Sequence, residues 1–269
     1  MAKSLAELIF GDERSCIRFD MSEYADASSD QRLLGASPGY VGYEAGGQLT
    51  NAVRERPFSI LLFDEIEKAH SSIMDKFLQI LEDGRMTDGQ GNTVYFSECV
   101  IIFTSNLGIY ARDERTGRRE LQVTSDEDYA AVEQKVKNGI SDYFKLQLGR
   151  PEILNRIGEN IVVFDFIRPD TARAIMDSQL NKITRTLLLE NDVDVVLTDA
   201  AREDLFERVC GNLENGGRGV GNIIEEVIIN PLSGYMLDND LLKSARIVIE
   251  SLDCSSVPVK VHMTGERLP

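Results

Sequence analysis

I-L-L-F-D-E-I-E-K-A, residues 60–69, is the stretch that decides the fold, because an apolar run ends there in two adjacent carboxylates, Asp64 and Glu65. Such a run is typical of a strand buried on both faces of a parallel sheet, and ligands of open α/β sheets bind beyond the carboxyl ends of such strands. Successive strand side chains diverge, so one acid could hold Mg²⁺ while its neighbour reaches a water that attacks a γ-phosphate. The alternative is a strand followed by an acidic helix N-terminus, which the helix dipole also favours.

The size and composition predict a globular chain. Its 269 residues suit one large domain or two modest ones, and 42% hydrophobic residues can fill a core. No apolar stretch approaches the roughly 18 residues that cross a bilayer, so no membrane partner is expected. The first residues lack the cleavage region of a signal peptide, which favours a cytoplasmic location.

The charge and the cysteine content limit the kinds of binding site that the chain is expected to contain. With 29 basic and 45 acidic side chains, the formal charge of -16 argues against a broad nucleic-acid-binding surface. The cysteines form no C-x-x-C pair, and only His70 and His262 could join them. Neither a disulfide framework nor a zinc site is indicated.

Further apolar runs predict the rest of the architecture. Strands are expected at residues 16–20, 99–104 and 160–166, and the glycines of 84–91 predict a hairpin. Beyond these, alternating helices and strands indicate a second, smaller α+β domain.

Six ordered segments carry a resemblance to a known family. They resemble the second ATPase module of the Clp/Hsp100 AAA+ unfoldases, of the ClpA, ClpB and ClpC type. The resemblance implies a three-layer α/β/α AAA+ domain over residues 1–167 and a small α+β lid domain over residues 168–269. The segments are D-M-S-E-Y (20–24), G-A-S-P-G-Y-V-G-Y-E-A-G-G-Q-L-T (35–50), L-L-F-D-E-I-E-K-A-H (61–70), L-E-D-G-R-M-T-D-G-Q-G (81–91), T-S-N-L-G (104–108) and R-P-E-I-L-N-R-I (150–157).

The resemblance implies ATP and Mg²⁺ as cofactors and assigns roles within one subunit. Asp64 matches the Walker B acid that holds Mg²⁺ through water, and Glu65 matches the general base. Asn106 matches the sensor 1 residue, whose amide can bond the γ-phosphate and the attacking water. Without the resemblance, a turn-forming Asn after a strand would be the better interpretation of Asn106.

Two arginines match positions that act between subunits or domains. Arg156 matches the arginine finger, which neutralises charge on ATP bound by a neighbouring subunit. On spacing alone, a surface salt bridge is an equally good interpretation. Arg218 matches the sensor 2 arginine of the small domain, although Val220, Gly221 and Asn222 depart from the family's pattern there.

The tyrosine in G-Y-V-G matches an aromatic pore loop. Tyr40 and Val41 lie between Gly39 and Gly42, and an aromatic ring there offers a translocating polypeptide a large, sequence-tolerant contact. A phosphate cradle is excluded because no Lys-Ser or Lys-Thr follows these glycines. A structural loop with packed tyrosines, Tyr43 among them, is the alternative.

The family's Walker A motif has no counterpart in this sequence. Residues 1–10 match the helix that follows it, and no G-x-x-x-x-G precedes Lys3-Ser4. The first strand and the P-loop are therefore expected to be missing, as in a fragment of a longer chain. Alone, such a chain is expected to bind ATP poorly and to be inactive as an ATPase.

The resemblance implies a function for the complete protein. It would form a ring, a hexamer, that couples ATP hydrolysis to threading unfolded or aggregated proteins through a pore. No I/L/V-G-F/L tripeptide for docking a peptidase occurs between residues 108 and 153, which favours a disaggregase. The rival hypotheses are an AAA+ machine that remodels nucleic acid and a non-catalytic assembly module.

Overall fold

The structure, a computed structural model, describes residues 1–40, 43–112, 118–253 and 259–268. The chain divides into two compact units, Met1–Phe164 and Asp165–Pro269. The boundary expected from the sequence follows Ile167, and as a boundary between functional domains it stays a prediction. None of the helices in these described ranges has the length and apolarity that a membrane span requires.

In its described residues the first unit mixes helices with a parallel sheet and two short antiparallel strand pairs. The strands Cys16–Asp20 and Ile60–Asp64 alternate with helices, as the sequence predicts. In chain order its elements are α1 (Ala2–Phe10), β1 (Cys16–Asp20), α2 (Ser29–Leu34), α3 (Gln48–Glu55), β2 (Ile60–Asp64), α4 (Ser71–Asp83), β3 (Arg85–Thr87), β4 (Thr93–Tyr95), β5 (Val100–Phe103), β6 (Tyr110–Arg112), β7 (Arg119–Leu121), α5 (Tyr129–Asp142), a π-helical turn (Tyr143–Gln147) and α6 (Pro151–Ile157).

The central sheet is held in register by a row of phenylalanines. Its strands run parallel in the order β1-β2-β5, and Phe19, Phe63 and Phe103 are direct neighbours across them. The Phe63 ring centroid lies 5.4 Å from that of Phe19 and 5.6 Å from that of Phe103. Phe77 of α4 packs edge-on against Phe63 at 4.6 Å. This row fixes α4 on one face of the sheet directly before the strands end.

The strand predicted over residues 160–166 was wrong. No described strand covers these residues, although the buried Val163 lies between Val162 at 75% and Phe164 at 68% exposure. In the described residues β5 pairs with β2 alone, and the Val163 carbonyl accepts a hydrogen bond from the Tyr129 hydroxyl at 3.1 Å. Alternating burial indicates packing against a core, whereas a strand also needs a neighbouring backbone to bond.

The second unit is a smaller α+β fold around its own core. Its sheet has the order β10-β9-β8, with β8 parallel and β10 antiparallel to β9. Met176, Leu180, Leu205 and Ile247 are fully or almost fully buried beneath its helices. An α/β unit followed by a smaller α+β unit confirms the predicted fold class. The elements are α7 (Pro169–Asn191), β8 (Val193–Leu197), α8 (Asp199–Cys210), α9 (Gly216–Ile224), a π-helical turn (Glu225–Ile229), α10 (Asn230–Asp238), β9 (Ala245–Asp253) and β10 (Lys260–Arg267).

Candidate active site

The carboxyl ends of the three parallel strands bring four polar residues together. Asp20 ends β1 and pairs in register with Asp64, which ends β2. Glu65 follows Asp64, and Thr104 follows β5. We call these four residues the rim. It lies immediately beyond the phenylalanine row, so its geometry depends on the register of the sheet.

Both carboxylate oxygens of Asp64 have partners from neighbouring strands. The Thr104 hydroxyl donates to Oδ1. The Arg18 guanidinium holds Oδ2, with Nη2 at 2.6 Å and Nε at 3.0 Å. Hydrogen bonds from the Ser22 hydroxyl and backbone N–H, with a smaller contribution from the Arg18 charge, hold the pKa of Asp20 below its ordinary value. The Asp20 carboxylate is thus ionised near neutral pH.

Glu65 has an unusual backbone conformation. Its φ of 57° lies in the left-handed region, which side chains other than glycine adopt at some cost. Two hydrogen bonds fix it: the Glu65 N–H donates to the Thr104 hydroxyl at 3.2 Å, and the Ile66 N–H donates to the Thr104 carbonyl at 3.0 Å. In the described part of the chain, no hydrogen bond or ion pair engages the Glu65 carboxylate. The Glu65 carboxylate is therefore available for chemistry.

Asn106 is joined to the same turn through its backbone. Its N–H donates to Oε1 of Glu67 at 3.2 Å. The other Glu67 oxygen, Oε2, is buried with no protein partner among the described residues. Glu67 thereby connects the turn after β2 to the segment after β5, so Asn106 lies at the same end of the sheet as the rim.

The donor set suits a cation that is shared with a ligand. The described residues contain no cluster of three or more His, Cys, Asp or Glu that could hold a metal alone. Magnesium, however, is commonly bound through one or two carboxylates together with substrate phosphates. Asp64, with its side chain 27% exposed, fits this role.

Within the first unit, Arg156 has its contacts away from the rim. Arg156, on α6, forms an ion pair with Glu82 of α4, with Nη2 at 3.0 Å and Nε at 3.3 Å from Oε1. This ion pair is the surface salt bridge that was one of the two interpretations of Arg156, the other being an arginine finger. Arg218 is exposed on α9 in the second unit, and its role stays a prediction.

Tyr40 lies in the glycine-rich segment with its ring exposed. The exposed fraction of Tyr40 is 63%, and Gly39 before it has a φ of 88°. Tyr43 is only half-buried and its carbonyl accepts a hydrogen bond from Gln90 at 2.8 Å. The exposure of Tyr40 argues against a loop of packed tyrosines. Val41 and Gly42, predicted to belong to the same loop, lie outside the described residues.

The two ends of this segment touch each other, and the first end also touches the turn between β3 and β4. A Cβ on Gly47 would lie 2.2 Å from the Leu34 carbonyl carbon, and one on Gly89 would lie 2.2 Å from the Ala36 carbonyl oxygen. No side chain fits at either position. We call this contact the loop anchor.

A buried carboxylate holds the loop anchor together. The fully buried Asp88 side chain forms an ion pair with Arg54 of α3, and Asp88 Oδ1 accepts the backbone N–H groups of Gln90 and Asn92 at 2.9 and 2.8 Å. Burial by itself would raise the pKa of Asp88, but these hydrogen bonds and the Arg54 charge outweigh it and hold the pKa below its usual value.

Sequence reasoning missed three contact residues of the site. Arg18 lies two residues before Asp20, so period-two alternation would have placed both on one face of β1. Thr104 directly precedes S-N at the end of β5, and Glu67 lies two residues after Glu65. The sequence position of each residue indicated that it lies near the site. The partner of each side chain, however, is determined by which strands pair, and the local sequence does not show that.

Comparison with protein-family models identifies the family to which the chain belongs. Residues 1–160 match the model of the AAA domain (Cdc48 subfamily). The chain belongs to this AAA family. Residues 167–249 match the C-terminal, D2-small domain of ClpB protein. The pair of matches identifies a second ATPase module of the Clp/Hsp100 type and confirms the resemblance stated from the motifs.

Similar proteins support the same assignment. The AAA chain is 39% identical over 251 residues to the chaperone protein ClpB of Bacteroides thetaiotaomicron, covering 93% of this chain and 28% of that protein. It is 40% identical over 255 residues to the negative regulator of genetic competence ClpC/MecB of Bacillus subtilis, covering 94% of this chain and 30% of that protein. The chain thus spans less than a third of either relative.

A solved structure shares the fold of the AAA chain. It is a closed-state cryo-EM reconstruction of Hsp104 with ATPγS and FITC-casein. The two align with a TM-score of 0.75 and 31% identity, over 97% of this chain and 42% of that one.

The loop anchor of the AAA domain should lose stability in a pH-dependent way when Asp88 is neutralised. Because the folded pKa is lowered, the charged form stabilises the domain above the ordinary carboxyl pKa, and this is lost as pH falls through the folded pKa. We expect Asp88→Asn to cost about 1–3 kcal/mol at pH 7 and progressively less below about pH 4. Urea unfolding at pH 3–7 measures the difference from wild type.

Asp12→Asn is the matched control, because Asp12 pairs with Arg14 at an exposed site and its loss should change stability little. An Asp88→Asn penalty that is the same at pH 3 and pH 7 would contradict the prediction, since the effect would then come from shape and not from charge.

Proposed function

We propose that the chain is part of an ATP-driven protein unfoldase or disaggregase, which couples ATP hydrolysis in a ring to the threading of polypeptides. One observation carries this proposal: Asp64, Glu65 and the segment bearing Asn106 are tied together through Thr104 and Glu67 at one end of a parallel sheet. The ClpB, ClpC and Hsp104 relatives support the choice of protein substrates.

In this proposal the rim performs the hydrolytic step. Asp64 holds Mg²⁺, which when bound supplies charge neutralisation for the phosphates of ATP. Glu65, whose carboxylate has no partner among the described residues, accepts a proton from the attacking water. Asn106 orients the γ-phosphate and the water through its amide. The contacts at this turn support the division of labour, because Thr104 and Arg18 hold the Asp64 carboxylate whereas the Glu65 carboxylate has no partner among the described residues.

Two arginines, Arg156 and Arg218, are proposed to contact the nucleotide from a neighbouring subunit and from the small domain, respectively. Arg156 is proposed to act on ATP of the neighbouring subunit in a homo-oligomer, a hexamer by analogy with the family. It must then leave Glu82, and both side chains are exposed enough for the exchange to cost little. Arg218 of the small domain is proposed to sense the nucleotide.

Tyr40 is proposed as the residue that contacts the substrate polypeptide, with Gly39, Val41 and Gly42. An exposed ring on a segment with fixed ends supports this role. The substrates would be unfolded or aggregated proteins in the cytoplasm. The absence of a peptidase-docking tripeptide favours a disaggregase, and the charge of -16 speaks against nucleic acid as the substrate.

The 269-residue chain alone is expected to bind ATP weakly, because its sequence contains no G-x-x-x-x-G-K-[ST] segment to cradle the phosphates. Calorimetric titration with ATP in the presence of Mg²⁺ should show no binding in the micromolar range. Micromolar, Mg²⁺-dependent binding would show that other groups of this chain hold the phosphates. Longer forms that carry a phosphate-binding loop are therefore the material for the activity tests.

In such a longer form, Glu65→Gln should abolish hydrolysis while nucleotide stays bound, because the amide cannot accept the proton of the attacking water. The expected loss in kcat is about 10²–10⁴-fold, measured by phosphate release alongside nucleotide retention. Glu98→Gln is the matched control, since Glu98 is exposed at the opposite end of β5. Normal hydrolysis by the Glu65 variant would rule out its role as the base.

Tyr40→Ala in the same protein should preserve ATP hydrolysis and lose unfolding of a tagged substrate, because it removes the exposed contact surface without touching the rim. The unfolding rate of a fluorescent fusion protein, measured together with ATPase activity, distinguishes a loss of substrate contact from a loss of hydrolysis. Tyr110→Ala is the control, since Tyr110 is a similarly exposed tyrosine at 54%. An unchanged unfolding rate in the Tyr40 variant would refute the pore role.

A further inference from the structure

Arg18 bridges two carboxylates on neighbouring strands of the rim. Its Nη2 atom lies 2.6 Å from Oδ2 of Asp64 and 3.4 Å from Oδ2 of Asp20. Its Nε also donates to Oδ2 of Asp64, at 3.0 Å. One guanidinium therefore contacts both acids at once.

The sheet itself forces the two acids together. Asp20 and Asp64 are register neighbours on parallel strands, which lie roughly 4.8 Å apart. Two carboxylates at this spacing repel each other. They also make an oxygen-rich pair of the kind that binds divalent cations. Arg18 counters both tendencies, because its charge is permanent and its planar donors match carboxylates.

We propose that Arg18 is a positioning residue that serves as the built-in counter-ion of the rim. It orients Asp64, and it keeps the Asp20 and Asp64 pair from capturing a divalent cation when no nucleotide is present. The inference rests on the proposed role of Asp64 in holding Mg²⁺. A cation that approaches Asp64 must compete with the guanidinium for Oδ2, so cation binding and release of Arg18 are coupled.

The contacts of Asp64 explain why a cation and Arg18 compete for one of its two carboxylate oxygens. Oδ1 is held by the Thr104 hydroxyl, which also receives the Glu65 N–H. Oδ1 is thus part of the fixed turn. Among the described residues Oδ2 is held by Arg18 alone, and the Arg18 side chain is 56% exposed. Oδ2 is the oxygen that can be exchanged without disturbing Glu65.

A purely structural salt bridge would behave differently. Exposed ion pairs contribute little to stability, so such a bridge would change the unfolding free energy slightly and leave cation affinity as it is. The proposal instead requires that removal of Arg18 strengthens cation binding. The affinity for a cation in the absence of nucleotide therefore distinguishes the two.

The test is Mn²⁺ binding to the 269-residue chain without nucleotide, measured from the electron paramagnetic resonance signal of free Mn²⁺. Arg18→Gln should bind Mn²⁺ roughly three- to tenfold more tightly than wild type. Arg18→Lys keeps the charge but loses the planar donors, so its Mn²⁺ affinity should lie between those of wild type and Arg18→Gln. Arg14→Gln is the charge-matched control, because Arg14 pairs with Asp12 before the start of β1, and it should bind like wild type.

A double variant localises the effect. Arg18→Gln combined with Asp64→Asn should return to the wild-type affinity, because the carboxylate pair is then gone. Equal Mn²⁺ affinity in wild type and Arg18→Gln would overturn the proposal, and so would a gain that survives in the double variant. If Arg18→Gln does not fold, the Nε–H nuclear magnetic resonance signal of Arg18 in wild type provides the readout. Addition of Mg²⁺ at tens of millimolar should accelerate its exchange with water, and an unaltered signal would contradict the coupling.

The outcome separates this inference from the proposed function. ATP hydrolysis by a longer form that tolerates Asp64→Asn would refute the catalytic role of Asp64 and leave the Mn²⁺ result standing. Hydrolysis that needs Asp64, together with equal Mn²⁺ affinities, would refute the role of Arg18 alone.

Discussion

The register of three parallel strands determines where every group of the candidate active site lies. Phe19, Phe63 and Phe103 form one row across the sheet, and their packing with α4 fixes that register. Because strand side chains alternate, Asp20 and Asp64 emerge together on the other face, one residue beyond the row. A slip of one residue would exchange the buried rings for the acids, so the chemistry and the core depend on the same packing.

Local sequence pattern was sufficient to find much of this. The apolar run before Asp64 predicted a buried strand, the glycines of residues 84–91 predicted a turn, and the succession of elements predicted an α/β unit followed by a smaller α+β unit. The ordered motifs identified the family, and the family comparison confirmed it. These features were predictable because each is encoded within about ten consecutive residues, where periodicity and turn chemistry act.

What sequence missed depends on pairing between distant segments. Arg18 and Asp64 are 46 residues apart, and Thr104 and Asp64 are 40 apart. No local pattern states which strands become neighbours. The same limit explains the error at residues 160–166, where alternating burial was present without a neighbouring strand. It also explains why the salt bridge of Arg156 with Glu82, between α6 and α4, stayed one of two interpretations until the helices were in place.

The loop anchor has a consequence for how far Tyr40 can reach. Gly47 touches the backbone of Leu34 and Gly35, and Gly89 touches the backbone of Gly35 and Ala36. The two ends of the glycine-rich segment and the turn between β3 and β4 are therefore packed together without room for a side chain. The chain length between Gly35 and Gly47 therefore limits how far from this contact Tyr40 can lie. Inserting or deleting residues between Gly35 and Gly47 would change that distance, while the loop anchor and the sheet stay as they are.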